Sequence, residues 1–134
     1  MALLILDTGV RPGKACHLEW SEVHLEPAIN ARFGYIRITG GKSRYAKRNL
    51  SLTSRLGEIL RTRKAVANSN WVFPSETDGP TLGTSLDHQH SDVRTALKLP
   101  EDFVIHSLRH TMLTRLGEAG AMLLRLCGSL ATAV

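Results

Sequence analysis

Residues 106–120, HSLRHTMLTRLGEAG, set a histidine and an arginine three positions apart at the opening of an amphipathic helix. Ile105, Leu108, Met112 and Leu116 recur near the helical period and predict a buried stripe, with Ser107 as the cap and Gly120 as the stop. His106 and Arg109 then stand at the helix end whose unpaired amides already favour an anion. A guanidinium fork and an imidazole added there suit a phosphodiester. The stretch fits equally a capped surface helix that merely carries a His and an Arg, so the surrounding chain has to separate the two readings.

Upstream, residues 2–8, ALLILDT, read as the end of a helix with Leu3, Leu4 and Leu6 inward, and Gly9 ends it in a conformation only glycine adopts cheaply. Pro12 fits the first position of a second short helix over 12–18 and forces Arg11 out of the α region. Arg11 therefore sits at an elbow held from both sides, a placement that keeps a functional side chain still. Trp20 and residues 23–25 open a β region. Residues 35–39, YIRIT, alternate with the period of a strand, and 48–52 alternate again as the return strand of a hairpin whose polar tip runs from Gly40 to Lys47. Residues 54–68 read as a helix capped by Thr53 or Ser54, with Leu56, Ile59, Leu60 and Val66 inward. Residues 86–97 read as another, with Val93 and Leu97 inward and Pro100 beyond its end, and a last helix is expected over 121–130. Trp20 and Trp71 read as core. The fold class is α+β, mostly helical with a small antiparallel three-stranded sheet.

The 134 residues suffice for one compact domain, with 43% apolar and 22% charged residues. No stretch is long and apolar enough for a bilayer, and the opening MALLILDTGV lacks the basic start and cleavage site of a leader, so no membrane partner is expected. Cys16 and Cys127 stand in unrelated contexts, which predicts reduced thiols and a cytoplasmic setting. His88 with His90, and His106 with His110, have no carboxylate or cysteine to complete a ligand set. No metal is expected, and His110 is assigned a structural hydrogen bond. The net charge of +5 is concentrated: between residues 42 and 64 eight Lys or Arg face one acid, Glu58, giving +7 there, against 0 before and −2 after. A basic segment in an otherwise balanced chain predicts DNA as the partner, through Arg44, Lys47 and Arg48 unless these only solubilise the hairpin tip.

Arg11, Lys42, His106 and Arg109 suit one task. Breaking a phosphodiester without a metal needs cations against the charge gathering on the nonbridging oxygens, an acid for the departing 5′ oxygen, and a nucleophile in line with it. Three stretches in this order, LDTGVRPG at 6–13, GGKSRYAKRNLSLT at 40–53 and HSLRHTMLTRLGEAG at 106–120, resemble the catalytic domain of the tyrosine recombinases, the phage integrase family. The resemblance implies that Arg11 and Arg109 grip the scissile phosphate and that Lys42, or Lys47 beside it, protonates the leaving oxygen. It implies that His106 assists proton transfer near the nucleophile. It also implies no cofactor, because in this family a tyrosine attacks and keeps the bond energy in a phosphotyrosyl link.

Two departures from the family pattern carry expectations of their own. Past Gly120 the chain reads Leu126, Cys127, Gly128 and Ser129 where the family continues to a second histidine or tryptophan and then the tyrosine, and neither Tyr35 nor Tyr45 matches that position. Residues 1–134 are therefore read as a single incomplete catalytic domain, without its N-terminal core-binding partner and without the nucleophile segment. Site-specific DNA recombination and integration is the family-level function, and a non-catalytic DNA-binding remnant or truncated integrase fragment is the alternative. The apolar C-terminal segment is expected to support a homo-oligomer. Lys14 stands where the family carries an acid, so it is expected either to swing to solvent or to loosen the site around Arg11, with Glu19 or Glu22 as substitutes for the acid.

Overall fold

The structure, a computed structural model, describes residues 1–39 and 47–119. The α+β expectation holds. Helix α1 (Ala2–Thr8) turns into α2 (Pro12–Cys16), and a short 3-10 turn (Trp20–Glu22) leads to β1 (Val23–His24), β2 (Tyr35–Ile38) and β3 (Arg48–Ser51). Three helices follow: α3 (Ser54–Ala65), α4 (Gly83–Ala96) and α5 (Ile105–Glu118). The strands form an antiparallel sheet in the order β1-β2-β3, with Ile36 opposite both Val23 and Leu50, and Ile38 opposite Arg48. Alternation along β2 turns Ile36 and Ile38 into the core and leaves Arg37 exposed. The core is shared by the sheet and the helices around it, and Leu4, Ile5, Leu18, Ile36, Leu60 and Val72 are among its fully buried members.

Gly9 ends α1 at φ 67°, ψ 16°, the left-handed conformation, and its N–H donates to the Ile5 carbonyl at 2.8 Å. Ile5 rather than Leu6 is the inward residue beside Leu4: both are buried in the core, whereas Leu6 is only half-buried. Pro12 opens α2, which stops at Cys16 rather than at residue 18 because the His17 N–H turns to the Lys14 carbonyl. Thr53 caps α3, accepting from the Leu56 N–H at 3.3 Å.

Two helix faces differ from expectation for a physical reason. In α3 the buried residues are Leu56, Gly57 and Leu60, and one turn on Arg63, exposed overall, anchors the helix by its Nε donating to the Val72 carbonyl at 2.6 Å. A Cβ on Gly57 would stand 3.0 Å from the Phe33 carbonyl, so this close approach centres the inner face there. Ile59 and Val66, expected inward, are turned out at 50% and 81% exposure. In α4 only Leu86 is buried, and the inward row continues as His90, bonded to the Phe103 carbonyl at 2.9 Å, and Arg94, donating to the Glu101 carbonyl at 2.6 Å. Those polar anchors turn Val93 and Leu97 to solvent, contrary to the pattern reading.

Helix α5 packs on α1 with Ile105, Leu108, Met112 and Leu116 half-buried against the core, as the stripe predicted. Its cap differs. The N-cap is Val104, and Ser107 sits at the third helical position, where its hydroxyl accepts from the Val104 N–H at 3.1 Å. Residues 40–46 of the hairpin tip, Gly120 and the helix expected over 121–130 lie outside the described residues.

Candidate nucleic-acid interface

The elbow between α1 and α2 is tied down before any functional group is placed on it. Asp7, in the last turn of α1, accepts from Thr53 Oγ1 at 2.5 Å and from Arg55 Nε at 2.9 Å, with a second Arg55 N–H on its other oxygen. One carboxylate therefore joins the end of α1 to the start of α3. Burial alone would push the Asp7 carboxyl up, but the hydrogen bonds from Arg55 and Thr53 and the charges of Arg55 and Arg115 outweigh it and hold it below its ordinary value. Thr8 adds a second tie, its hydroxyl donating to the Leu4 carbonyl at 2.6 Å and accepting from the Val10 N–H at 3.3 Å.

Arg11 follows in extended conformation, φ −66° and ψ 140°, as Pro12 requires, with its side chain exposed. Arg109 comes back to the same point from α5: Nη1 donates to the Gly9 carbonyl at 2.6 Å, across a hundred residues of sequence. Its guanidinium lies below the usual range, first through burial and then through the positive charges of Arg11 and Arg48. Arg48, the first residue of β3, is lowered in the same way, by burial and then by Arg11. Three guanidiniums thus share one local field. Among the described residues the salt bridges are Arg55–Asp7 and Lys14–Glu22, and neither compensates this group. Clustered like charges held partly out of water repel one another, and an anion relieves that repulsion.

The remaining sequence candidates fall as follows. His106 is at the second position of α5, exposed, its ring edge-on to that of His110 with centroids 4.8 Å apart. It lies one turn from Arg109 on the same helix. His110 is exposed and meets the His106 ring, and among the described residues no partner is found for the structural hydrogen bond assigned to it. Lys47 is exposed at the foot of the hairpin. With Arg37, Ile38, Thr39, Arg48 and Asn49 it lines a groove that contains cations and hydrogen-bonding groups but no carboxylate. Lys42, Arg44 and Tyr45 lie outside the described residues. Tyr35 is occupied within the sheet, stacked on His24 with centroids 4.6 Å apart and bonded by Arg37 at 3.4 Å.

Lys14 does not swing to solvent. It pairs with Glu22 at 2.6 Å, so Glu22 neutralises the lysine, and among the described residues no salt bridge brings a carboxylate to Arg11. The roles of the Gly9 carbonyl and of Asp7 were missed in the sequence, although both residues lie in the stretch LDTGVRPG. Among the described residues no group of three or more metal-type ligands is gathered, and no helix is long and apolar enough to cross a membrane.

The sequence profile of the phage integrase family matches residues 1–126. The chain belongs to the phage integrase family. Its fold is the α+β fold of the tyrosine recombinase catalytic domain. It is similar to the Tn1549 transposon integrase in complex with circular intermediate DNA, with a TM-score of 0.78 and 15% identity over 99% of this chain and 49% of that one. XerA recombinase gives a TM-score of 0.75 at 21% identity, covering 99% of this chain and 48% of its own. XerH site-specific recombinase bound to difH substrate gives 0.75 at 21%, covering 98% and 40%. This integrase-family chain spans about half the length of those structures or less. No curated protein sequence matches it.

Proposed function

We propose that this chain carries the DNA-cleaving half of a site-specific recombinase, the part that grips one phosphodiester while a strand is cut and rejoined. The observation that supports this best is the convergence of Arg11 and Arg109 on the Gly9 elbow, from opposite ends of the described chain. Each guanidinium offers parallel donors to the nonbridging oxygens, and those bonds strengthen as charge accumulates on phosphorus. Lys42 is the acid for the 5′ oxygen, and His106, on the helix that carries Arg109, assists proton transfer. The groove of Arg37, Lys47 and Arg48 follows the adjoining backbone, and Arg44, outside the described residues, is a further DNA contact of this proposal. DNA is the partner, no cofactor takes part, and the setting is the cytoplasm.

The 134-residue chain by itself binds DNA without forming a covalent link: of its two tyrosines, Tyr35 is engaged within the sheet and Tyr45 lies outside the described residues. Incubation with a nicked suicide duplex tests this. Retention without a covalent adduct is expected, and an adduct on the chain contradicts it. Self-association through residues 121–134 belongs to the same proposal, with a concentration-dependent sedimentation coefficient expected and a strictly monomeric chain against it.

A second reading, a DNA-binding protein without catalysis, is favoured by the Lys14–Glu22 pair, which occupies Glu22, while no salt bridge to Arg11 is found among the described residues. Duplex binding that keeps its steep salt dependence after Arg11→Ala and Arg109→Ala supports that reading.

A further inference from the structure

Among the described residues six arginines donate to acceptors, Arg37 to the Tyr35 hydroxyl and five more to carboxylate or carbonyl oxygens. Arg55 bonds Asp7, Arg61 the Leu25 carbonyl, Arg63 the Val72 carbonyl, Arg94 the Glu101 carbonyl and Arg109 the Gly9 carbonyl. Arg48 differs. Its Nε is buried and has no hydrogen-bond partner. A buried guanidinium N–H left unpaired is costly, and folded chains rarely keep one without a reason.

The position of Arg48 supplies the reason. It opens β3, paired with Ile38, at the base of the hairpin, and its charged neighbours are Arg11 and Arg109. Water satisfies a lone donor but does nothing for three adjacent cations. A nonbridging phosphate oxygen does both. Resting on the phosphate-gripping reading above, we propose that Arg48 is a third phosphate-binding guanidinium, its Nε–H donating to the same phosphodiester that Arg11 and Arg109 hold. A strand residue is a rigid mount, so this donor needs little reorganisation when the phosphate arrives.

The side-chain Nε–H signals of arginine report this directly, because each moves downfield when its proton meets a phosphate oxygen. The full 134-residue chain, labelled with 15N and titrated with a 20-base-pair duplex, is expected to show downfield movement at Arg48 together with Arg11 and Arg109. Movement at Arg11 and Arg109 with Arg48 stationary overturns the proposal and leaves the phosphate-gripping reading intact. No movement at any of the three overturns both. Affinity gives a second readout. Arg48→Gln is expected to weaken duplex binding about tenfold and to lower the salt slope by about one. Arg48→Lys is expected to keep the slope but not the affinity, because it retains the charge and lacks the fork. Full affinity in folded Arg48→Lys, checked by its melting curve, counts against the proposal.

Discussion

Replacing Gly9 by alanine tests the elbow on which the phosphate site is built. Gly9 holds φ 67° and ψ 16° at the end of α1, and an L-residue there brings its Cβ against the following carbonyl at a cost of about 1–2 kcal/mol. For a domain of this size that corresponds to a melting temperature lower by about 6 °C. The chain can relieve the strain only by rotating the neighbouring peptides. The Gly9 carbonyl, 2.6 Å from Arg109 Nη1, would then swing out of line. Gly9→Ala is therefore expected to lose stability and several-fold in duplex affinity together. D-alanine introduced at the same position by chemical ligation is the control, because its mirror-image preference is the left-handed well. Differential scanning calorimetry of the three proteins gives the ranking: glycine and D-alanine alike, L-alanine below both. Equal melting of the L- and D-alanine proteins would refute the argument from backbone handedness.

Further expectations follow from single contacts. Gly34→Ala places a Cβ 2.3 Å from the His24 carbonyl at φ 99°, so urea denaturation should show a loss of about 3 kcal/mol, and a loss below about 1 kcal/mol would mean the turn re-forms freely. The folded Asp7 carboxyl titrates below its unfolded value, so its stabilisation is complete above the ordinary carboxylate range and is lost as pH falls through the lowered value. Asp7→Asn should flatten the acid limb of the stability–pH curve, and an unchanged limb would remove Asp7 as the tie between α1 and α3. Burial first and the Asp87 charge second push the Cys16 thiol up, so mass mapping after brief alkylation at pH 8 should find Cys16 unmodified in the native chain and modified in denaturant. Rapid native labelling would show that the α2 packing opens.

Local signals carried much of this fold. Gly9 as a stop, Pro12 forcing Arg11 extended, Thr53 as a cap and the alternation of Tyr35, Ile36, Arg37 and Ile38 each depend on a few neighbouring residues, and each is found as read. The inner faces of α3 and α4 were misread because their later turns are held by Arg63, His90 and Arg94. These polar side chains are anchored to carbonyls at Val72, Phe103 and Glu101 that no hydrophobic period reveals. In the site, the spacing of His106 and Arg109 was legible. The Gly9 carbonyl that receives Arg109 was not, since nothing local links residues a hundred apart. Lys14 read as a like charge beside Arg11 until the fold brought Glu22 against it. Arg48 read as one of several tip cations, and only its burial sets it apart from Lys47.

The central claim is that Arg11 and Arg109 act on one phosphate, and a double-mutant cycle on duplex affinity measures it. Arg11→Ala, Arg109→Ala and the double variant are titrated with the same duplex at one low salt concentration, each after its melting curve is recorded. Two groups that share a phosphate lose less in combination than the sum of the separate losses, with a coupling of at least about 0.5 kcal/mol. Strictly additive losses would place the two guanidiniums on different parts of the DNA and contradict the account.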